Sequence, residues 1–458
     1  MAGYIFSRTP QKVPTVLTKF RRIQTAIPVP GTEKVLDDLD RYESRSMHGQ
    51  LPLIWDKAVD FSVFDSAGNK WIDFTSTIFV TNVGHSNPRV SRAISASLSK
   101  PIYSCYAYGN EIRAQYLKKL IQFAGYPFEK AFLLSAGTEA TEAALKLMRM
   151  YGQKQNKRRR GIICIEGNWH GRTLGAQMMS SNLAQRDWIG YQDSDIHHIP
   201  FPYPWEIAGI EAKKFLDDGL AKLIASGINL SKDICGFMLE TFQGWGAVFY
   251  PPEFVKAIEA ICRKNNILLA FDEMQAGFGR TGKTFGYQHY NVTPDLIACG
   301  KGMGGGVSLS GVLGRAEIMD LPDIGNMSST HSANPLVSAA GLAVIEEIES
   351  CNLIEESARK GDLLFAALTE LQRQYPNHIQ RLLGKGLIAA VLFCHPNTGK
   401  PDPLFASLVA ELCMQKGLLV VHTGRESIKI GPPLTISDEA LLEGVSVLGE
   451  AISEIASR

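Results

Sequence analysis

Ile267-Leu268-Leu269-Ala270-Phe271-Asp272-Glu273-Met274-Gln275 decides the fold, because a run of five apolar residues is closed by a carboxylate. A continuous apolar run of this length reads as a strand buried on both faces, as in a parallel sheet covered by helices. Asp272 then stands at the carboxyl end of that strand, where α/β proteins place ligands. It needs a partner there, since an unpaired charge out of water is costly. A protonated ring nitrogen would serve. So would a helix cap or a basic side chain.

Working outward, four more short apolar runs read as strands: Ala131–Ser135, Gly161–Ile165, Ile234–Glu240 and Leu296–Cys299. Between them lie amphipathic stretches of helical length, including Glu139–Tyr151, Ala208–Ser226 and Pro252–Asn265. This alternation predicts an α/β protein with a mostly parallel sheet and helices on both faces. After Asn334-Pro335 the pattern changes. Helices at Leu336–Glu349 and Ile354–Gln374 lead to a strand at Leu387–Phe393, another helix, a strand at Leu418–His422 and a closing helix at Asp438–Ser457. The expected organisation is residues 1–65 as an N-terminal arm and part of the small domain, 66–335 as the large domain, and 336–458 as a smaller α+β domain. Pro10, Pro14, Pro28 and Pro30 make the start an extended arm rather than a signal sequence.

The 458 residues are 45% apolar, enough for a substantial core and more than one domain. Basic and acidic residues number 47 and 46, a net charge of +1 that gives no reason to expect nucleic acid or an anionic membrane as partner. The basic run Lys157-Arg158-Arg159-Arg160 reads as a solvated loop. Eight scattered cysteines show no metal-ligand spacing, and several sit inside apolar runs, as in Ile163-Cys164-Ile165. Reduced thiols, no metal and a cytoplasmic location are expected.

Four segments carry chemistry. In Leu134-Ser135-Ala136-Gly137-Thr138-Glu139-Ala140 a strand ends, a glycine turns and a helix starts, so Gly137 and Thr138 form either a phosphate seat or an ordinary capped joint. Asp272 is the second. In Cys299-Gly300-Lys301-Gly302-Met303-Gly304-Gly305-Gly306 a lysine follows an apolar strand among glycines. An apolar setting makes its amine a nucleophile towards an aldehyde, and the spacing does not fit a P-loop. In Gly167-Asn168-Trp169-His170-Gly171-Arg172-Thr173, Trp169 offers a face to an aromatic ring, while His170 reads as structural. Together these are the parts that a pyridoxal 5′-phosphate site requires.

The same segments resemble the class III (ω-amino acid) aminotransferases, pyridoxal phosphate enzymes of fold type I, over nearly the whole chain. Ser135–Ala144 resembles the family's phosphate-binding segment, and Asp272-Glu273-Met274-Gln275-Ala276-Gly277-Phe278-Gly279-Arg280-Thr281-Gly282 its pyridinium motif. Asp65–Asp73, Gly84-His85-Ser86-Asn87-Pro88 and Ser329–Leu336 match further family segments. The resemblance implies a seven-stranded type of large sheet and a homodimer with both active sites at the interface. It implies that Lys301 forms the Schiff base, Asp272 pairs with the ring nitrogen and Gln275 contacts the ring hydroxyl. Trp169 and Met274 would cover the two ring faces, with Glu240 near the cofactor. Gly137 and Thr138 would hold the phosphate, with Thr330 reaching that of the other subunit.

Two positions depart from the family. Lys429 stands where many members have a carboxylate-binding arginine, and Trp245 where they have the glutamate that masks it. Lysine lacks the planar fork of arginine. Arg425 is a nearby substitute, and Phe79, Tyr103, Tyr106 and Tyr108 are candidates to line a substrate pocket with Trp245. The resemblance therefore implies an aminotransferase taking an amine donor and a carbonyl acceptor in a ping-pong reaction, its substrate a terminal amine or amino sugar. An aminomutase, racemase or decarboxylase of the same fold is the alternative, and a non-catalytic cofactor-binding protein a more distant one.

Overall fold

The computed structural model describes residues 4–47, 49–100, 102–207 and 211–458. The chain divides into two compact units. One comprises residues 1–87, 245–247 and 355–458, the other 88–244 and 248–354.

The larger unit is built on seven strands, numbered here along the chain. They are β1 (Lys130–Leu134), β2 (Gly161–Ile165), β3 (Ile196–Ile199), β4 (Ile234–Glu240), β5 (Leu268–Asp272), β6 (Leu296–Cys299) and β7 (Ser310–Gly314). They lie in the order β1-β7-β6-β5-β4-β2-β3. Only β7 runs against the others, so the sheet is mostly parallel as expected. Every residue of β2, β4, β5 and β6 is buried, which is why these strands read as unbroken apolar runs. Two strands escaped the sequence reading. β3 is Ile-His-His-Ile at the sheet edge, and β7 is a short stretch with glycine at two of its five positions.

A helix at Gly137–Gln155 packs into the sheet's core with Ala140, Ala143, Ala144, Leu147 and Met148, the three alanines being small enough to let it lie close. Its start is fixed by Glu139, whose Oε2 accepts the N–H groups of Ser135 and Ala136 at 2.9 Å each. A cap of this kind is worth about 1 kcal/mol. The helix expected over Ala208–Ser226 runs from Ala212 to Ala225, and residues 208–210 lie outside the described ones.

The boundary expected at 336 falls instead at 354, because the helix Pro335–Ser350 packs on the helices Pro88–Leu98 and Glu111–Ala124 of the larger unit. The boundary expected at 65 falls at 87. The run Lys157–Arg160 is also more than a solvated loop. Arg159 is buried, with Nε donating to Ile234 O at 2.7 Å and Nη2 to Asn265 O and Asn266 O at 2.7 and 2.8 Å. It closes the last turn of the helix Pro252–Asn265.

In the smaller unit, an antiparallel sheet orders Ile379–Lys385, Ile388–Phe393, Ser427–Ile430 and Val421–His422. A second sheet centres on Lys70–Asp73, where the N-terminal strand Arg22–Ile23 pairs antiparallel and the C-terminal strand Leu418–Leu419 pairs parallel. Ile23, Ile27, Val63, Trp71, Met414 and Leu419 form its core, and Trp71 Nε1 donates to Met414 O at 2.7 Å. Both ends of the chain thus build one core. All eight cysteines are unpaired, six of them buried. No helix among the described residues is long and apolar enough to cross a membrane.

Candidate active site

The segments singled out in the sequence all follow carboxyl ends of strands that run in one direction. Gly137 follows β1, Trp169 follows β2, Glu240 ends β4, Asp272 ends β5 and Lys301 follows β6 after one glycine. Parallel strands open their carboxyl ends into one crevice, which gathers residues distant in sequence.

Asp272 is buried. Its Oδ1 accepts Met274 N–H at 3.0 Å, and its Oδ2 lies 3.0 Å from His170 Nδ1. A carboxylate offers about four lone pairs, so room remains for a further donor. His170 is placed from two sides: its N–H donates to Ser180 Oγ at 2.8 Å, and its carbonyl accepts Thr141 Oγ1 at 2.7 Å. Its Nε2 is buried with no hydrogen-bond partner among the described residues.

Lys301 has φ of 38°, in the left-handed region that a lysine rarely adopts. Such strain recurs at functional sites, where the surroundings hold it. Burial pushes its amine below the usual lysine pKa, opposed by the charges of Asp272 and Glu240. Among the described residues its Nζ has no hydrogen-bond or ion-pair partner. A buried carboxylate with spare acceptor capacity and an unpaired, less basic amine fit the ring nitrogen and the aldehyde of pyridoxal phosphate.

The turn expected to seat a phosphate has a second layer. Thr138 Oγ1 lies 2.6 Å from Thr173 Oγ1 and accepts Thr173 N–H at 3.2 Å. Gly171 sits at φ 142°, and a Cβ there would run into the Thr138 hydroxyl. Ser135 Oγ lies 3.0 Å from Ser332 Oγ, which also meets Ser329 Oγ, so the segment Ser329–Leu336 touches this seat within its own chain while Thr330 is exposed.

Trp169 is half-buried, its N–H donating to Glu240 Oε2 at 2.9 Å and the Arg172 guanidinium 4.6 Å from its ring. Met274 Sδ lies 2.8 Å from where a Cβ on either Gly137 or Gly300 would stand. Gln275 packs by Gly244 and Glu240.

Sequence reasoning missed His170 as the partner of Asp272. It also passed over Glu273, fully buried behind Asp272. Glu273 accepts Thr241 Oγ1 at 2.6 Å and the N–H groups of Gly286 and Tyr287 at 2.8 and 2.7 Å. Burial raises its pKa to about 7 despite these donors.

The remaining candidates divide between the two units. Tyr103, Tyr106 and Tyr108 are exposed on the larger unit. Trp245, Arg425, Lys429 and Phe79 belong to the smaller one. Phe79 is buried and ends a turn in which Ser76, Thr77, Ile78 and Phe79 all have positive φ, from 45° to 68°. Asp73 holds this left-handed turn, accepting Thr75 N–H at 2.7 Å and Ser76 N–H at 3.1 Å, with His85 Nε2 at 2.7 Å.

Fold and site together are those of a pyridoxal phosphate transferase of fold type I. The profile of the family Aminotransferase class-III matches residues 44–452. The 4-aminobutyrate aminotransferase of Mycobacterium leprae is 31% identical over 455 residues, covering 96% of this chain and 100% of the relative. The ornithine aminotransferase of Saccharomyces cerevisiae is 32% identical, covering 92% and 98%. A crystal structure of a Bacillus anthracis aminotransferase superposes with a TM-score of 0.84 at 27% identity, covering 92% of this chain and 98% of that one. The chain belongs to the class III aminotransferases and is a pyridoxal phosphate-dependent aminotransferase.

Proposed function

We propose that the chain takes the amino group of a terminal amine and passes it to a carbonyl acceptor, with Lys301 as the amine that holds the cofactor and then carries the proton. The observation behind this reading is the Lys301 Nζ, made less basic by burial against the opposing charges of Asp272 and Glu240, and without a hydrogen bond among the described residues. An amine in that state reacts readily with an aldehyde near neutral pH. When bound, pyridoxal phosphate supplies the electron sink that a carbon next to nitrogen needs in order to lose a proton.

The chain's own residues have separable tasks. Lys301, once its amine is released, holds and moves the proton at Nζ. Asp272 keeps a proton on the ring nitrogen, and His170 orients Asp272. The backbone at Gly137 and the Thr138 hydroxyl hold the phosphate, Trp169 and Met274 cover the ring faces, and Gln275 meets the ring hydroxyl.

The relatives named for 4-aminobutyrate and ornithine support a terminal amine, since each compound carries its amine on an end carbon. Exposed Ile102, Tyr103, Tyr108 and Ile324 support a homodimer, because apolar groups of this size favour a covering subunit. Thr330, exposed in its own chain, is available to the second copy. Unpaired cysteines favour the cytoplasm.

The test is to load the purified protein with cofactor, offer it a panel of amines and follow the loss of visible absorbance. Rapid loss with 4-aminobutyrate or ornithine is expected. Response to glutamate alone would overturn the terminal-amine reading, and undiminished turnover by Lys301→Ala would overturn the role of that lysine.

A further inference from the structure

Asp272, Glu240 and Trp169 come from three separate segments of the larger unit, yet the residue beside each is drawn into one buried cluster. Those neighbours are Glu273, Thr241 and Asn168, each no more than 3% exposed. Where a strand ends, successive side chains still point to opposite faces. A carboxylate that faces the crevice therefore leaves the next residue to the core behind it.

Two buried tyrosines join these neighbours. The Tyr290 hydroxyl donates to Thr241 O at 2.6 Å and accepts Tyr250 N–H at 3.1 Å. The Tyr250 hydroxyl in turn meets the Asn168 side chain, Nδ2 at 3.1 Å and Oδ1 at 3.2 Å. Thr241 Oγ1 donates to Glu273 Oε1 at 2.6 Å, and Thr241 N–H to Asp272 O at 3.3 Å. Glu273 closes a ring, because it also accepts the first two N–H groups of the short helix Gly286–Tyr290 that carries Tyr290. The fit is tight at that helix start, where a Cβ on Gly286 would stand 2.6 Å from Thr241 Cγ2. Burial pushes both tyrosine hydroxyls well above the ordinary phenol range, so each keeps its proton and can donate while it accepts.

We propose that Tyr290 is a positioning residue for the aminotransferase reaction: its hydroxyl ties the end of β4 to Tyr250 and so sets where Glu240, Asp272 and Trp169 stand around the cofactor. The proposal rests on the function proposed above. Removing that one hydroxyl leaves Thr241 O and Tyr250 N–H without their partner in the core, and both must move to find another. The movement passes to the residues next along the chain. Glu240 and Asp272 are the two whose charges act on the Lys301 amine, so their displacement is read at that amine.

The experiment takes the cofactor-loaded enzyme and measures the pH midpoint of its visible absorbance, together with kcat, KM and Tm. In Tyr290→Phe the two carboxylates are held less closely to Lys301, so the midpoint is expected to fall by about 0.5–1 unit, roughly a 3- to 10-fold loss of proton affinity. kcat is expected to fall about tenfold, with KM changed less than about threefold. Thr241→Val should move the midpoint the same way, and Thr241→Ser, which keeps the hydroxyl, should return it to the parent value. Arg159→Ala controls for lost stability: it strips a donor from Ile234, at the opposite end of β4, and should lower the Tm with the midpoint unmoved. A Tyr290→Phe enzyme whose Tm falls while midpoint and kcat keep their parent values would overturn the proposal, and so would a Thr241→Ser enzyme that behaves as Thr241→Val does. Should Tyr290→Phe not fold, the two Thr241 variants decide alone. A parent enzyme that binds cofactor but turns over no amine would instead overturn the function reading, and the midpoints would still report on the ring.

Discussion

His170 Nδ1 lies 3.0 Å from Asp272 Oδ2, while its second ring nitrogen is buried without a partner among the described residues. An ionised carboxylate only accepts, so Nδ1 carries the proton in this contact. The imidazole keeps Asp272 in one orientation, leaving Oδ1 and the remaining lone pairs for Met274 N–H and the cofactor ring.

His170→Phe should therefore lower turnover by about 10- to 100-fold, the worth of a lost hydrogen bond to a charged group. His170→Asn places an N–H donor near the same spot and should recover much of it. Steady-state turnover with saturating cofactor, compared between the two variants, checks this. Equal losses would mean that the ring only fills space.

Gly171→Ala should weaken cofactor retention. The new Cβ meets the Thr138 hydroxyl and adopts a strained backbone at φ 142°. Cofactor dissociation, followed by absorbance during dialysis, should be about tenfold faster, with the loss recovered at high added cofactor.

Glu273 gives the fold a pH dependence of defined sign. Its pKa rises from 4.5 to about 7 on folding, chiefly through burial. A carboxyl raised in this way adds stability that is complete below its unfolded value and lost as pH rises through the folded one. The Tm should therefore fall between pH 5 and 8 partly on this account. Glu273→Gln should melt lower at all pH, because Gly286 N–H loses its acceptor, but with a shallower decline over that window. Calorimetry at three pH values settles the slope.

Arg159→Ala should destabilise the larger unit by about 2–3 kcal/mol, because the buried Ile234 carbonyl and the part-buried carbonyls of Asn265 and Asn266 lose their donor. Arg159→Lys should rescue little, since an ammonium cannot spread its donors over Ile234, Asn265 and Asn266. The midpoint of urea unfolding measures both.

Where the sequence was readable, a local physical signal did the work. β2, β4 and β6 coincide with the expected runs because each is a continuous apolar stretch. The helix Pro252–Asn265 was bounded correctly because proline opens it and a left-handed Asn266 closes it. β3 and β7 carry no such signal: two histidines interrupt one, and glycines flank the other. Lys301 and Asp272 stood out as charges ending apolar runs. The tie of His170 to Asp272 was invisible because 102 residues separate them. Arg159 looked solvated among its basic neighbours because its partners are carbonyls, which any residue supplies.

The reversed strand β7 has a consequence for how the enzyme is made. Among the described residues β7 is the only strand paired with β1, and it also ties to the end of β1 through Ser310 Oγ donating to Ala136 O at 2.8 Å. While a ribosome is still threading out the first 300 residues, the strand leading to Gly137 has no neighbour to lie against. The approach to Gly137 is thus held by a segment 174 residues further along the chain, so it is completed by long-range pairing rather than by its neighbours in sequence.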